Sequence, residues 1–159
     1  MVVTSLTSLL GLELRNNERV TDRGLSSLVK LPSLTYLNLD FCPGITGRGV
    51  KTLCVPASRL VTVSLVRCAA TDPGVERIAR LPCLSTLFLS HARVTDRGLQ
   101  ALASSRSLAY VGVEVGEGVT HEGIEQLRRR MQGRAAVNPA IHGRAQYDTS
   151  TLMSAMLSP

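Results

Sequence analysis

Leu34-Thr-Tyr-Leu-Asn-Leu-Asp-Phe-Cys42, followed by Ile45-Thr-Gly-Arg-Gly-Val50, decides how this chain is read. Alone, the first block alternates like a short half-buried strand, and the second reads as a turn entering a helix. Recurrence gives both their meaning. The strand pattern returns as Leu9, Leu12, Leu14, Asn17; as Leu60, Val63, Leu65, Cys68; as Leu84, Leu87, Leu89, Ala92; and as Leu108, Val111, Val113, Gly116. Its starts at 9, 34, 60, 84 and 108 lie 25, 26, 24 and 24 residues apart.

A period of about 20–29 residues carrying Leu-x-x-Leu-x-Leu-x-x-Asn/Cys marks a leucine-rich repeat. The second block recurs with it, as Val20-Thr-Asp-Arg-Gly-Leu25, Ala70-Thr-Asp-Pro-Gly-Val75, Val94-Thr-Asp-Arg-Gly-Leu99 and Val119-Thr-His-Glu-Gly-Ile124. Thr and Asp accept bonds from the free N–H groups of a first helical turn. Pro73 suits the first helical position, which makes Asp72 the expected N-cap. The following Gly permits a close backbone approach as the chain bends into the helix. Leu25/Leu28, Val50/Leu53, Val75/Ile78, Leu99/Leu102 and Ile124/Leu127 then give each short helix one inward stripe. Pro32 and Pro82 stop the helix before the next strand.

Strands pack about 4.8 Å apart, whereas helices are about 10 Å across, so stacked units bend into an arc with the strands inside. The expected fold is α/β: a right-handed solenoid, a short horseshoe of about five strand–helix units. Residues 1–8 read as the end of a preceding repeat, because Leu6-Thr-Ser before Leu9 matches Leu31-Pro-Ser and Leu81-Pro-Cys. Residues 9–137 form the repeat domain, with Ala135-Ala-Val137 as a short closing strand and Asn138-Pro139 breaking the chain. The tail, 138–159, carries Leu152, Met153, Met156 and Leu157 on one face of a capping or docking helix behind Asp148 or Thr149. A solenoid that opens within a repeat exposes its first apolar layer. Upstream repeats or a neighbouring subunit are the expected cover.

The 159 residues include no Trp and only three Tyr and two Phe, which suits a core of Leu stacked on Leu. No apolar run reaches the roughly 18 residues of a membrane span, and no secretory signal opens the chain. Cys42, Cys54, Cys68 and Cys83 show neither C-x-x-C spacing nor a neighbouring His, and read as reduced thiols of a cytoplasmic protein. His91, His121 and His142 make no triad or metal spacing, and there is no phosphate-binding glycine motif. No cofactor, metal site or catalytic residue is expected.

The combined pattern, Leu-x-x-Leu-x-Leu-x-x-Cys followed by Ile/Val-Thr-Asp-x-Gly-Leu, resembles the cysteine-containing leucine-rich repeats of the F-box/LRR proteins, over residues 6–131. In that family an F-box recruits a ubiquitin ligase and the repeats hold its target. No F-box is seen here, so the resemblance implies target holding alone. Similar repeats also serve as accessory subunits of ciliary and mitochondrial assemblies, which implies the alternative of a structural subunit held by its open end and tail.

Strand alternation places the third, fifth and seventh positions of each unit on the concave face. These include Glu13 and Arg15; Tyr36, Asn38 and Asp40; Phe88; and Tyr110 and Glu114. Tyr36, Phe88 and Tyr110 are expected to anchor a protein partner, with the charged and amide groups orienting it. The formal charge of +6 comes largely from Arg on the helical side, such as Arg23, Arg48, Arg77 and Arg97. Basic and aromatic residues are thus separated, and nucleic acid is not the expected partner. Five strands span about 19 Å, a flat footprint of about 300 Å², whereas a standard interface takes about 800 Å² from each partner. The rim loops, the first layer or the tail must add area.

Overall fold

The structure, a computed structural model, describes residues 6–55 and 58–139. Strand and helix alternate throughout: β1 (Gly11–Glu13), α1 (Asp22–Leu28), β2 (Tyr36–Asn38), α2 (Gly47–Thr52), β3 (Thr62–Ser64), α3 (Asp72–Ile78), β4 (Thr86–Phe88), α4 (Asp96–Leu102), β5 (Tyr110–Val113), α5 (His121–Arg130) and β6 (Ala136–Pro139). The strands form one parallel sheet ordered β1 to β6. Gly11, Tyr36, Thr62, Thr86, Tyr110 and Ala136 stand side by side across it. Sequential order without crossover makes this an α/β leucine-rich repeat solenoid, as the period requires. The closing strand runs on through Asn138 to Pro139, where a chain break was expected. Pro lacks only a ladder donor, so the last strand of a sheet tolerates it.

The inward strand residues Leu37, Val63, Leu87 and Val111 meet the helix stripe Leu25, Val50, Val75, Leu99 and Ile124, all buried. Burying each such side chain contributes about 1.5–3 kcal/mol. The first layer lacks a neighbour among the described residues. Leu9, Leu12, Leu14 and Val20 are only partly buried there, and Leu6 and Leu10 are 45 and 54 % exposed.

The Thr-Asp-x-Gly block works differently from the expectation. Thr71, not Asp72, is the N-cap of α3, and Asp72 is already helical. Thr46, Thr95 and Thr120 hold the same place, and their hydroxyls accept from the N–H groups of Arg48, Arg97 and Gly123. Each Asp instead reaches forward to the next layer. Asp22 accepts from the Thr46 N–H (2.7 Å) and hydroxyl (2.6 Å). Asp72 does the same to Thr95 (2.8 and 2.6 Å), and Asp96 to Thr120 (2.9 and 2.7 Å). The Gly of the block admits that carboxylate: a Cβ on Gly49, Gly98 or Gly123 would overlap the Asp of the layer before. Gly47 replaces Asp in the second unit, so this rung is missing towards Thr71. There the helices close up instead, and a Cβ on Gly74 would sit 3.0 Å from Gly47 Cα.

Cys42 and Cys68 make a second stitch between layers. Their thiols donate to the carbonyls of Leu14 and Leu39, both at 2.9 Å. Burial pushes the Cys68 thiol up to about 12 and raises that of Cys42. Both are structural donors.

Candidate functional site

Depth divides the residues that strand alternation assigns to the concave side. Asn38, Asp40, Tyr36 and Phe88 are buried, Tyr110 and Glu114 half-buried, and Glu13 and Arg15 exposed. Phe88, expected to anchor a partner, is 1 % exposed. It fills the slot left by Gly112, where a Cβ would lie 2.5 Å from its ring. Its ring also meets that of Tyr110 at 5.5 Å between centroids, tilted by 52°.

The more exposed members are each held by a less exposed one. The Tyr36 hydroxyl donates to Glu13 Oε1 (3.1 Å) and accepts from Asn38 Nδ2 (3.3 Å). Asn38 Oδ1 in turn accepts the Asp40 N–H at 2.9 Å. Asp40 Oδ1 accepts from the Ser64 hydroxyl (2.5 Å) and the Val66 N–H (3.0 Å), while Arg15 Nε lies 3.9 Å from Asp40 Oδ2. A buried carboxylate is costly unless its oxygens are bonded in this way. On the far side, His91 Nε2 lies 2.7 Å from Glu114 Oε2. Two groups of candidates result, one around β1 and β2, the other around β4 and β5.

A row of residues that alternation does not reveal connects them. Asn16, Phe41, Arg67 and His91, each one past the seventh position of its unit, have φ of 55°, 57°, 54° and 57°. This left-handed conformation turns the chain off the strand towards the helix side. It costs a non-Gly residue about 1–2 kcal/mol, least for Asn. The β-branched Val115 at the equivalent place does not adopt it. Phe41, Arg67 and His91 are exposed at this rim, and the Arg67 guanidinium lies 5.4 Å from the centroid of the Phe41 ring. The only signal available in the sequence was their even spacing, with Asn16, a residue that tolerates this conformation, at the head of the column.

Four arginines lie elsewhere. Arg23, Arg48, Arg77 and Arg97 are exposed on the helical side, with Arg97 3.7 Å from Glu76. His121 heads α5 at the place of Asp in the ladder, and His142 lies outside the described residues. So do Leu152, Met153, Met156 and Leu157. Among the described residues no three His, Cys, Asp or Glu side chains gather as a metal site. No described helix is long and apolar enough to cross a membrane.

Comparison with known proteins agrees with this architecture. A family model described as Leucine Rich repeat matches residues 5–29, 30–54 and 80–103. A putative adenylate cyclase regulatory protein of Trypanosoma equiperdum is 32% identical over 102 residues, 64% of this chain and 16% of that protein. The chain thus spans about a sixth of that relative's length. Among solved structures, the tropomodulin C-terminal domain of Caenorhabditis elegans superposes with a TM-score of 0.61 at 16% identity, covering 82% of this chain and 92% of that one. Internalin C2 of Listeria monocytogenes gives 0.57 at 19% identity, over 86% and 74%. The solved structures share the fold. The three matched segments and the solved structures agree on a leucine-rich repeat fold.

Proposed function

We propose that this leucine-rich repeat chain is a non-catalytic recognition module that holds a protein partner along its concave face and strand-exit rim. The observation that carries the reading is the pairing of more exposed with less exposed candidates. Glu13 is held by Tyr36, Arg15 by Asp40 and Tyr110 by Phe88, while Glu114 is paired with His91. A contact side chain that is already oriented loses less entropy on binding, about 0.5–1.5 kcal/mol per side chain fixed. Tyr36, Asn38, Asp40 and Phe88 act as supports, and Glu13, Arg15, Tyr110 and Glu114 as contacts. Phe41, Arg67 and His91 extend the surface along the rim. Strained backbone under bulky exposed side chains is stored where function repays it.

In this role the chain corresponds to the target-holding repeats of F-box/LRR receptors. It also fits a binding part of a regulatory protein, as the name of the trypanosomal relative suggests. A second reading, an accessory subunit within a larger assembly, is favoured by Leu6 and Leu10 at the open first layer.

A photo-reactive amino acid placed at Tyr110, at Arg67 or at helical Arg77 separates these readings. Cross-linking to one protein from Tyr110 and Arg67 but not from Arg77, and at least tenfold weaker capture by Arg15→Ala/Tyr110→Ala, is the expected result. Cross-links from Arg77 alone would overturn it.

A further inference from the structure

Each helix passes to the next strand through a turn on one edge of the solenoid, at residues 29–35, 53–61, 79–85, 103–109 and 131–135. Every one of these turns contains a single basic residue, in order Lys30, Arg59, Arg80, Arg106 and Arg134, and none contains Asp or Glu. The turns of the opposite edge, where strands lead into helices, mix the signs. There Glu18, Asp40, Glu114 and Glu117 stand among Arg15, Arg19, Arg67 and Arg93.

Arg134 is used by the fold, because its guanidinium donates to the carbonyls of Ala103, Ser105 and Arg130. Lys30, Arg59, Arg80 and Arg106 are exposed, and none of them joins the ion pairs formed among the described residues. A helix C-terminus favours a cation close to its last turn. That accounts for Lys30 and Arg80, next to the C-caps Val29 and Ala79. It does not account for Arg59 and Arg106, which lie farther on, near Leu60 and Leu108.

The first two cations also border apolar ground. Lys30 and Arg59 line a cavity of about 180 Å³ together with Leu28, Val29 and Pro32, and Val29 is 37 % exposed. A cavity of about 150 Å³ lined by apolar side chains holds a benzene-sized group, so this one has room for a single apolar side chain. The step from turn to turn is bracketed by the strand spacing of about 4.8 Å and the helix width of about 10 Å. An extended peptide repeats its side-chain direction about every 6.6 Å, so carboxylates on alternate residues keep pace with the row. The five turns contain no Tyr, Phe or Trp, and bases therefore find no stacking platform there. An acidic peptide with an apolar anchor fits this edge better than RNA does.

We propose that the strand-entry edge is a docking surface for an extended acidic segment of a partner protein. Carboxylates on alternate residues meet Lys30, Arg59, Arg80 and Arg106, and one apolar side chain enters the cavity beside Lys30 and Arg59. This surface is separate from the concave face and the strand-exit rim, and it does not depend on what they hold.

The test titrates the full chain with a fluorescent peptide of about ten residues that has Glu at alternate positions and one Leu. Fluorescence anisotropy is expected to give a Kd below about 1 mM, and no binding at that concentration would overturn the proposal. Lys30→Glu/Arg59→Glu is expected to weaken binding about tenfold or more, whereas Arg48→Glu/Lys51→Glu, an equal change of net charge on α2, leaves it within about twofold. Equal losses in the two variants would reduce the effect to net charge and refute the site. Gln in place of every Glu is expected to abolish binding, and Ser in place of Leu to weaken it about threefold or more; an unchanged Kd with either peptide counts against the proposal. A uridine oligonucleotide of the same charge is expected to bind more weakly, and tighter binding would make the edge a nucleic-acid surface instead. Amide chemical-shift mapping needs no variant and guards against misfolding of the altered chains. Shifts centred on Lys30, Arg59, Arg80 and Arg106 support the proposal, and shifts centred on the concave strands or on the exposed helix faces overturn it.

Discussion

If the Asp–Thr ladder joins the layers, Asp72→Ala removes one whole rung. Asp72 accepts two bonds from Thr95, at 2.8 and 2.6 Å. A bond to a charged acceptor contributes about 1.5–3 kcal/mol when buried, but at this half-exposed place water takes up the freed donors, so the pair sums to about 2 kcal/mol. For a chain of this length that lowers Tm by about 4–8 °C. Urea unfolding followed by circular dichroism measures it, and a cycle with Thr95→Val isolates the rung. Thr95→Val also loses the cap bond to the Arg97 N–H, which the cycle subtracts. A coupling of about 1 kcal/mol is expected for the hydroxyl bond. Thr71→Val is the internal control, because Gly47 offers Thr71 no carboxylate and the Thr71 side chain makes no cap bond. It is expected to cost less than Thr95→Val. A coupling below about 0.3 kcal/mol, within the additivity of unrelated sites, would refute the ladder as a source of stability.

Gly123→Ala is expected to destabilise by about 1–3 kcal/mol, although Ala is the better helix former, because its Cβ overlaps the Asp96 carboxylate; a gain in Tm would count against the close approach. Phe88→Ala is expected to cost about 3–4 kcal/mol and half-buried Tyr110→Ala clearly less, so equal losses in denaturant titration would erase the division between support and contact. The thiols give the pH dependence. Burial raises Cys54 to about 11 and Cys68 to about 12 from an ordinary value of 9.0. Above pH 9 the unfolded chain therefore releases protons that the folded chain keeps. Stability falls as pH rises from 9 towards 12, by up to about 1.4 kcal/mol per unit for each thiol, and replacing Cys68 by Ala should flatten that slope. In the native protein exposed Cys83 is expected to label first, and Cys42 and Cys68 only on unfolding.

The sheet, the helices and the core were legible because the inward positions must be the same in every layer: Leu or Val stacks only on Leu or Val. The N-cap was misplaced for the opposite reason. Thr-Asp-x-Gly is visible as a local unit, but the partner of Asp72 is Thr95, 23 residues away, and no local pattern says that an acid serves its neighbour's helix instead of its own. Phe88 was misjudged in depth, not in direction. Alternation says which way a side chain points, whereas Gly112 on the adjacent strand decides whether it ends in solvent or in a slot. The left-handed row shares a conformation and no chemistry, so Asn16, Phe41, Arg67 and His91 do not resemble one another as a motif.

Comparing layers within the one chain separates construction from recognition. The helix N-caps are Thr21, Thr46, Thr71, Thr95 and Thr120, and the inward strand positions admit only Leu and Val. Those residues are set by their neighbours above and below. The concave positions run Gly11, Tyr36, Thr62, Thr86, Tyr110 and Glu13, Asn38, Ser64, Phe88, Gly112. No single stacking rule produces that variety, although Phe88 takes the slot that Gly112 leaves on the next strand. A composition that the fold leaves free is set by whatever lies against it. Near the margins that can be a partner protein meeting Arg15, Tyr110 and the rim. In the centre, where Phe88 is shut off from solvent, the neighbouring strand sets the residue instead, as Gly112 does by leaving the slot that Phe88 fills.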